Sequence, residues 1–219
     1  MKLLIRLVVT LSAVIIGTAA LGYFLWYRPA FSMAAFHSSL HGKPAASIDN
    51  NIVKRLKERA DMIFPFALAN HYNTMHCFMV DMHMQSGKKR FFVYNLQKDS
   101  VEQAGLVAHG YGSDKGGEDL CFSNDINSNC TSVGKYKIGK PYTGSFGLSY
   151  KLYGLDKTNN NAYNRFVVLH SYPCIPYREV SPLYICESRG CPMVAPAFLQ
   201  ELKGYIDHAE QPILLWIYY

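Results

Sequence analysis

The 219 residues contain no Gly-x-Ser-x-Gly turn. That absence removes the strand-to-helix elbow that presents a serine nucleophile in one large class of hydrolases. Paired zinc knuckles are missing too. Cys186 and Cys191 have four residues between them, but no second pair balances them. A Cys₃His site from His170, Cys174, Cys186 and Cys191 is therefore disfavoured, and neither metal nor cofactor is expected. His71, His76, Cys77 and His83 lie close together, yet strand alternation accounts for them. There is no internal repeat, no low-complexity tract and no Lys/Arg-rich run, which argues against a solenoid and against nucleic acid as a partner. Acidic residues are outnumbered, 16 against 22 basic, and the net charge of +6 suits an anionic partner such as cell wall or a phospholipid surface.

What is present begins with an uncharged run of 21 residues, Leu7 to Tyr27, between Lys2/Arg6 and Arg28. Its length suits a membrane-spanning helix, and the flanking charges leave the N-terminus in the cytoplasm. Residues 1–29 thus read as a signal anchor or signal peptide. Cleavage stays open, because Thr18-Ala19-Ala20 and Ser32-Met33-Ala34 place small residues where a signal peptidase acts. Residues 30–47 read as a linker and 48–73 as a helical lead-in, capped at Ser47 or Asp49, with an Ile52, Val53, Leu56, Ala60 stripe. Pro65 is expected to interrupt this helix, leaving a second short piece at Phe66–Asn70. Lys54, Arg55, Lys57, Glu58 and Arg59 form a solvated face.

From Cys77 the period changes to two. Phe78, Val80, Met82 and Met84 alternate with Met79, Asp81 and His83, which predicts a strand with one buried face. Gln85-Ser86-Gly87-Lys88 turns the chain into a returning strand at Arg90–Leu96, and a third strand is expected over Val101–Ala108. A long polar loop covers Tyr111–Asn129. Further strands are expected near Val133–Ile138, Leu148–Leu152, Phe166–His170 and Pro212–Tyr218, with a helix at Ala195–Ile206. The composition, 14% aromatic and 49% hydrophobic, fits a mainly β fold with flanking helices in residues 74–219.

One stretch carries chemistry. The apolar run Phe166-Val167-Val168-Leu169 delivers His170 to a strand end, and Ser188-Arg189-Gly190-Cys191 closes a tight turn on a thiol. An imidazole within reach of a sulfur makes thiolate available near neutral pH. Consecutive amides of Arg189, Gly190 and Cys191 in a glycine-containing turn could converge on an oxyanion. Cys191 is the candidate nucleophile and His170 the candidate base.

His170, Ser188, Gly190 and Cys191, with seventeen residues between the histidine and the serine, resemble the signature of the YkuD-type L,D-transpeptidases. The Gly190-Cys191-Pro192 ending, with Ala108-His109-Gly110 and Phe122-Ser123-Asn124 upstream, is similar to the murein L,D-transpeptidase catalytic domain branch. The resemblance runs from about Cys77 to the C-terminus. It implies the L,D-transpeptidase catalytic fold, a β-sandwich or barrel-like mixed sheet. It also implies a thioester on Cys191 and 3→3 cross-linking of peptidoglycan stem peptides in the cell envelope, in a periplasmic domain anchored by the N-terminal helix or secreted. Ser171 matches the position whose backbone carbonyl orients the imidazole. His109, Tyr142 and Ser188 are candidates for substrate binding, with a structural role open for His109 and a turn-shaping one for Ser188. Tyr142, Gly144 and Gly147 resemble a recurrent Tyr/Gly segment of the branch. Arg189 stands where many relatives have histidine, and Met193 where many have arginine. An L,D-carboxypeptidase using water as acceptor, or a wall-binding protein with structural cysteines, are the alternatives.

Six cysteines are present. With Cys191 free, five remain; Cys121 with Cys130 and Cys174 with Cys186 are the expected disulfides, leaving Cys77 as a buried thiol. Arg165 reads as a solvated residue at a strand start, with a substrate carboxylate as its other possible partner.

Overall fold

The computed structural model describes residues 2–27, 49–116 and 119–219. The chain divides into two compact units, Met1–Lys43 and Pro44–Tyr219. The expected linker lies outside the described residues. In the first unit α1 spans Lys2–Gly22 and gives way to a π-helical turn at Tyr23–Tyr27. The uncharged part of the α-helix, Leu7–Gly22, is 16 residues long, about 24 Å at 1.5 Å per residue, short of the ~30 Å of a hydrocarbon core. Among the described residues no helix is long and apolar enough to cross a membrane. The expected Leu7–Tyr27 transmembrane span is not supported by these helices.

In the second unit α2 spans Asn50–Ala69, and the Asp49 side chain accepts the Asn51 N–H at 2.8 Å to cap it. Pro65 does not break this helix. It removes one N–H, and the packing of Ile63 and Ala67 on either side holds the last turn in place. The strands are β1 (His76–Asp81), β2 (Phe91–Asn95), β3 (Ser100–Gly105), β4 (Val107–Ala108), β5 (Gly134–Gly144), β6 (Gly147–Gly154), β7 (Val168–Ser171), β8 (Met193–Val194) and β9 (Leu214–Tyr218), with α3 at Pro196–Asp207.

All nine strands form one mixed sheet in the order β3-β2-β1-β9-β5-β6-β7-β8-β4. The pairs β1/β9 and β7/β8 are parallel and the other pairs antiparallel. The two edge strands, β3 and β4, are neighbours in the chain with only Leu106 between them. The sheet therefore has to curl until its edges approach, giving a nearly closed barrel. Phe78, Val80, Phe91, Val93, Tyr150, Leu152 and Leu215 fill its inside together with Phe198, Leu199 and Leu202 of α3.

The expectation of one buried face for β1 fails for a definite reason. Leu56, Ala60, Ile63 and Ala67 of α2 lie on one helical stripe and cover Cys77, Met79, Phe92 and Tyr94 from outside. Phe78 and Val80 face in while Cys77 and Met79 face the helix, so both sets are buried. Where no helix covers the sheet, alternation gives an exposed outer face, as Lys151 on β6 shows. The strands that matter for function are β7 and β8, which run parallel with His170 opposite Met193.

Candidate active site

β7 places His170 between β6 and β8, paired with Ser149 on one side and Met193 on the other, almost fully buried. Nδ1 lies 3.1 Å from the Ser171 carbonyl oxygen. A carbonyl only accepts, so Nδ1 carries the proton and the lone pair is on Nε2. The Phe146 ring stacks on the imidazole, centroids 4.3 Å apart and planes within 21°. Phe146 comes from the tip of the β5–β6 hairpin and itself meets Tyr172 edge-on at 6.2 Å. Burial lowers the His170 pKa, against a smaller opposing effect of the Ser171 carbonyl.

The nucleophile turn is shaped by Ser188. Its hydroxyl donates to the Cys191 carbonyl at 2.7 Å, with the His109 carbonyl at 3.2 Å, and accepts the Gly190 N–H at 3.0 Å. Backbone bonds from Ser188 N–H to the His109 carbonyl (2.8 Å) and from Tyr111 N–H to the Ser188 carbonyl (2.9 Å) pin the turn to the segment after β4. Two expectations narrow here. Ser188 is buried and its hydroxyl is engaged inside the turn, the geometry of its turn-shaping reading. The Gly190 amide is spent on Ser188, which leaves Arg189 and Cys191 as the amides for an oxyanion.

Cys191 Sγ is half-buried and accepts the Val168 N–H at 3.5 Å. Val168 and His170 are two residues apart on β7, so the sulfur's amide partner belongs to the strand that carries the histidine. Burial raises the thiol pKa, offset in part by the Val168 N–H and by the nearby Arg165 cation. With the thiol pKa raised and the imidazole pKa lowered, both groups are neutral near pH 7.

Arg165 was missed. Its guanidinium donates to the Ser123 carbonyl (2.9 Å), the Ser132 hydroxyl (3.1 Å), the Ser128 hydroxyl (3.3 Å) and the Cys130 carbonyl (2.5 Å). It staples the 123–132 loop behind Gly190 rather than meeting solvent or substrate. The five-donor fork of arginine suits several carbonyls at once. The sequence signal was the surplus of Ser and Asn in that loop, a supply of acceptors without a cation.

His109 is also placed inside. Arg90, fully buried, donates to the Val107 carbonyl from Nε (3.1 Å) and Nη2 (3.0 Å), to the Met84 carbonyl (2.9 Å) and to His109 Nδ1 (2.8 Å). His109, 5% exposed, is held by Arg90, the geometry of the structural one of its two readings. His109, Asp114 and Glu187 hold ligand atoms within 4.8 Å of one another. Because arginine donates to Nδ1, however, Nε2 bears the proton; Glu187 Oε1 lies 3.3 Å away, but Nε2 makes no hydrogen bond among the described residues. It has no lone pair to give a cation.

Burial and the Arg90 charge hold the His109 pKa at about 4. The unfolded chain takes up this proton near 6.5 and the folded one only near 4, so stability is lost as pH falls through that window, by at most about 3 kcal/mol. His109→Asn keeps an acceptor for Arg90 and removes the titration. Urea midpoints measured from pH 7 to 4 are expected to fall less steeply in this variant.

Tyr142 lies on β5 opposite Ser149, which pairs with His170. It is exposed, two strands away from the histidine. Cys174 and Cys186 form a disulfide, Cα atoms 6.2 Å apart, across the excursion between β7 and the nucleophile turn. This withdraws two ligands from the Cys₃His alternative and leaves Cys191 out of a Cys186 bridge. Cys121 and Cys130 are free thiols, each pointing at a separate carbonyl, Gly112 and Ser128. Their expected bridge is absent because Arg165 and Ser128 fix Cys130 on its own side of the loop. Cys77 is a buried free thiol, as expected, with its pKa raised by desolvation.

Residues 53–218 match the family model described as L,D-transpeptidase catalytic domain. The chain belongs to that family. No curated protein matches it. Among solved structures it is similar to the helical cell shape determining protein Pgp2 from Campylobacter jejuni, at 13% identity and TM-score 0.42, covering 65% of this chain and 47% of that one. It is also similar to an L,D-transpeptidase from Xylanimonas cellulosilytica (13%, TM-score 0.39, 70% of this chain and 68% of that) and to one from Mycobacterium smegmatis (12%, TM-score 0.38, 66% and 59%). The chain spans about half the length of the Pgp2 structure.

Proposed function

We propose that this protein is a cysteine acyltransferase of the cell envelope acting on peptidoglycan stem peptides. His170 Nε2 takes the Cys191 thiol proton as the sulfur attacks the carbonyl after the third residue of a tetrapeptide stem, at the L-centre of its diamino acid. The C–N bond to the terminal D-alanine breaks, and the proton passes from His170 to the leaving amine. The side-chain amine of a neighbouring stem attacks the thioester, gives its proton to Nε2 and expels the Cys191 thiolate. The product is a 3→3 amide, and the thiol is regenerated. Amides of Cys191 and Arg189 stabilise the oxyanion in both halves.

The observation that carries this reading is the sulfur held at the Val168 amide on the strand bearing His170, whose Nδ1 is locked on the Ser171 carbonyl. The test is intact mass after incubating the full chain with a disaccharide-tetrapeptide. A thioester adduct localised to Cys191 and absent from Cys191→Ala is expected. An unmodified protein, or an adduct that survives the substitution, sinks the reading. Tripeptide as sole product in the presence of acceptor stems would assign water as the acceptor.

A further inference from the structure

Tyr150 and Leu152 of β6 point into the barrel, so alternation turns Lys151 and Tyr153 outward. Register sets Lys137 beside Tyr153, and Tyr142 beside Ser149. On this face the Lys151 ammonium lies 5.9 Å from the Tyr142 ring and 5.1 Å from the Tyr163 ring. Lys137 lies 4.8 Å over Tyr153, and Tyr153 stacks on Tyr163 at 5.5 Å and 15°. Among the described residues, lysines in ion pairs are Lys57, Lys98, Lys135 and Lys203. Lys137, Lys140 and Lys151 are outside that set. These three line a cavity of about 760 Å³ with Tyr142 and Tyr153, closed on its far side by the turn after α3. Two carboxylates stand on that side, Asp207 and Glu210. Asp207 is paired with Lys203, so positive charge is in excess. Tyr142, Ser149 and His170 are in register, two interstrand steps or about 10 Å from cavity edge to imidazole.

We propose that this face binds the glycan-linked part of an acidic glycopeptide, with stem carboxylates on Lys137, Lys140 and Lys151 and a sugar ring against Tyr142 and Tyr163. The proposal rests on the reading of Cys191 given above and names where the rest of that substrate lies. Lysine heads already held over aromatic rings have lost much of their freedom before a ligand arrives, so less ordering is left to oppose binding. Fixed cations beside tyrosine faces and hydroxyls complement a molecule that carries both carboxylates and sugar, and a bare peptide uses half of them. A bilayer surface is also anionic, but it is flat and cannot enter a cavity between a hairpin arm and a helix end.

The test compares the full chain with Lys137→Ala/Lys151→Ala and with Tyr163→Ala. One arm measures kcat/KM on a disaccharide-tetrapeptide and on the same tetrapeptide without sugar. The lysine variant is expected to lose roughly tenfold, through KM, on both substrates, which share the stem carboxylates, whereas Tyr163→Ala loses on the glycosylated substrate and markedly less on the bare peptide. A Tyr163→Ala variant with equal losses on both substrates, or no loss in either variant, overturns the proposal. The second arm needs no turnover: cosedimentation with purified uncross-linked peptidoglycan strands, in rising salt. Wild-type binding that weakens with salt and is lost in the variants supports the site even if no Cys191 adduct forms, which separates it from the acyltransferase reading. Variants that still bind the strands, or that lose only binding to phosphatidylglycerol vesicles, overturn it.

Discussion

A His170→Gln variant forms thioester with a disaccharide-tetrapeptide roughly a thousandfold more slowly than the wild type, at an unchanged melting temperature. Glutamine fills a similar volume and keeps a donor for the Ser171 carbonyl, but its amide cannot take the thiol proton, and positioned general bases are worth about 10²–10⁴ in rate. The pH profile carries the same argument. Burial lowers His170 below its ordinary 6.5 and raises Cys191 above its ordinary 9.0. Neutral imidazole, the form able to accept a proton, is then lost only as pH falls below 6.5, so the acid limb of wild-type kcat/KM lies under that value. Thiolate formed without help appears only above pH 9, where the variant should recover part of its rate. A thiol alkylated by iodoacetamide with an acidic midpoint would instead indicate a standing thiolate–imidazolium pair and contradict the neutral one.

The candidate site's turn was legible in the sequence because its elements are local: a serine three residues before the cysteine, a glycine between them, and an apolar run ending at histidine. The strands were legible for the same reason, as period two is a short-range signal. What could not be read lay in contacts distant in sequence. Arg165 lies 42 residues from Ser123, and nothing local to either residue announces the staple. Arg90 and His109 are 19 residues apart, just before β2 and just after β4. In the sequence each is a lone polar residue, and in the core the Arg90 guanidinium donates to His109 Nδ1. Phe146 was passed over because an aromatic at a hairpin tip has no partner until β6 pairs with β7 and brings it over His170. The cover of α2 over β1 likewise turned an expected solvent face into core. Cys121 and Cys130 show the opposite error: nearness in sequence suggested a bond that the loop's own carbonyls and Arg165 prevent.

Gly190→Ala is expected to destabilise the second unit by about 3 kcal/mol and to lower the rate of Cys191 acylation at least a hundredfold. Gly190 has φ +106°, where a side chain is strained in any surroundings. A Cβ there would lie 2.6 Å from the Cys130 carbonyl oxygen and 3.2 Å from Arg165 Nη2. That carbonyl is held by the guanidinium and cannot swing away without releasing the staple. On the other side the turn abuts Gly110, whose own Cβ would meet Gly190 Cα and N at 2.8 Å. Two backbones thus touch where two side chains would not fit, which gives both glycines a steric cause. Relief can come only by moving the turn, and a shift of about 1 Å in the sulfur is enough for a loss of this size. Gly204→Ala provides the opposite sign: it lies in α3 with nothing within 4 Å of its Cβ position, and alanine there should stabilise by about 0.5–1 kcal/mol. Urea unfolding of both variants, followed by stopped-flow acylation, checks the pair. A Gly190→Ala protein with wild-type midpoint and wild-type rate would mean that the turn does not constrain the thiol.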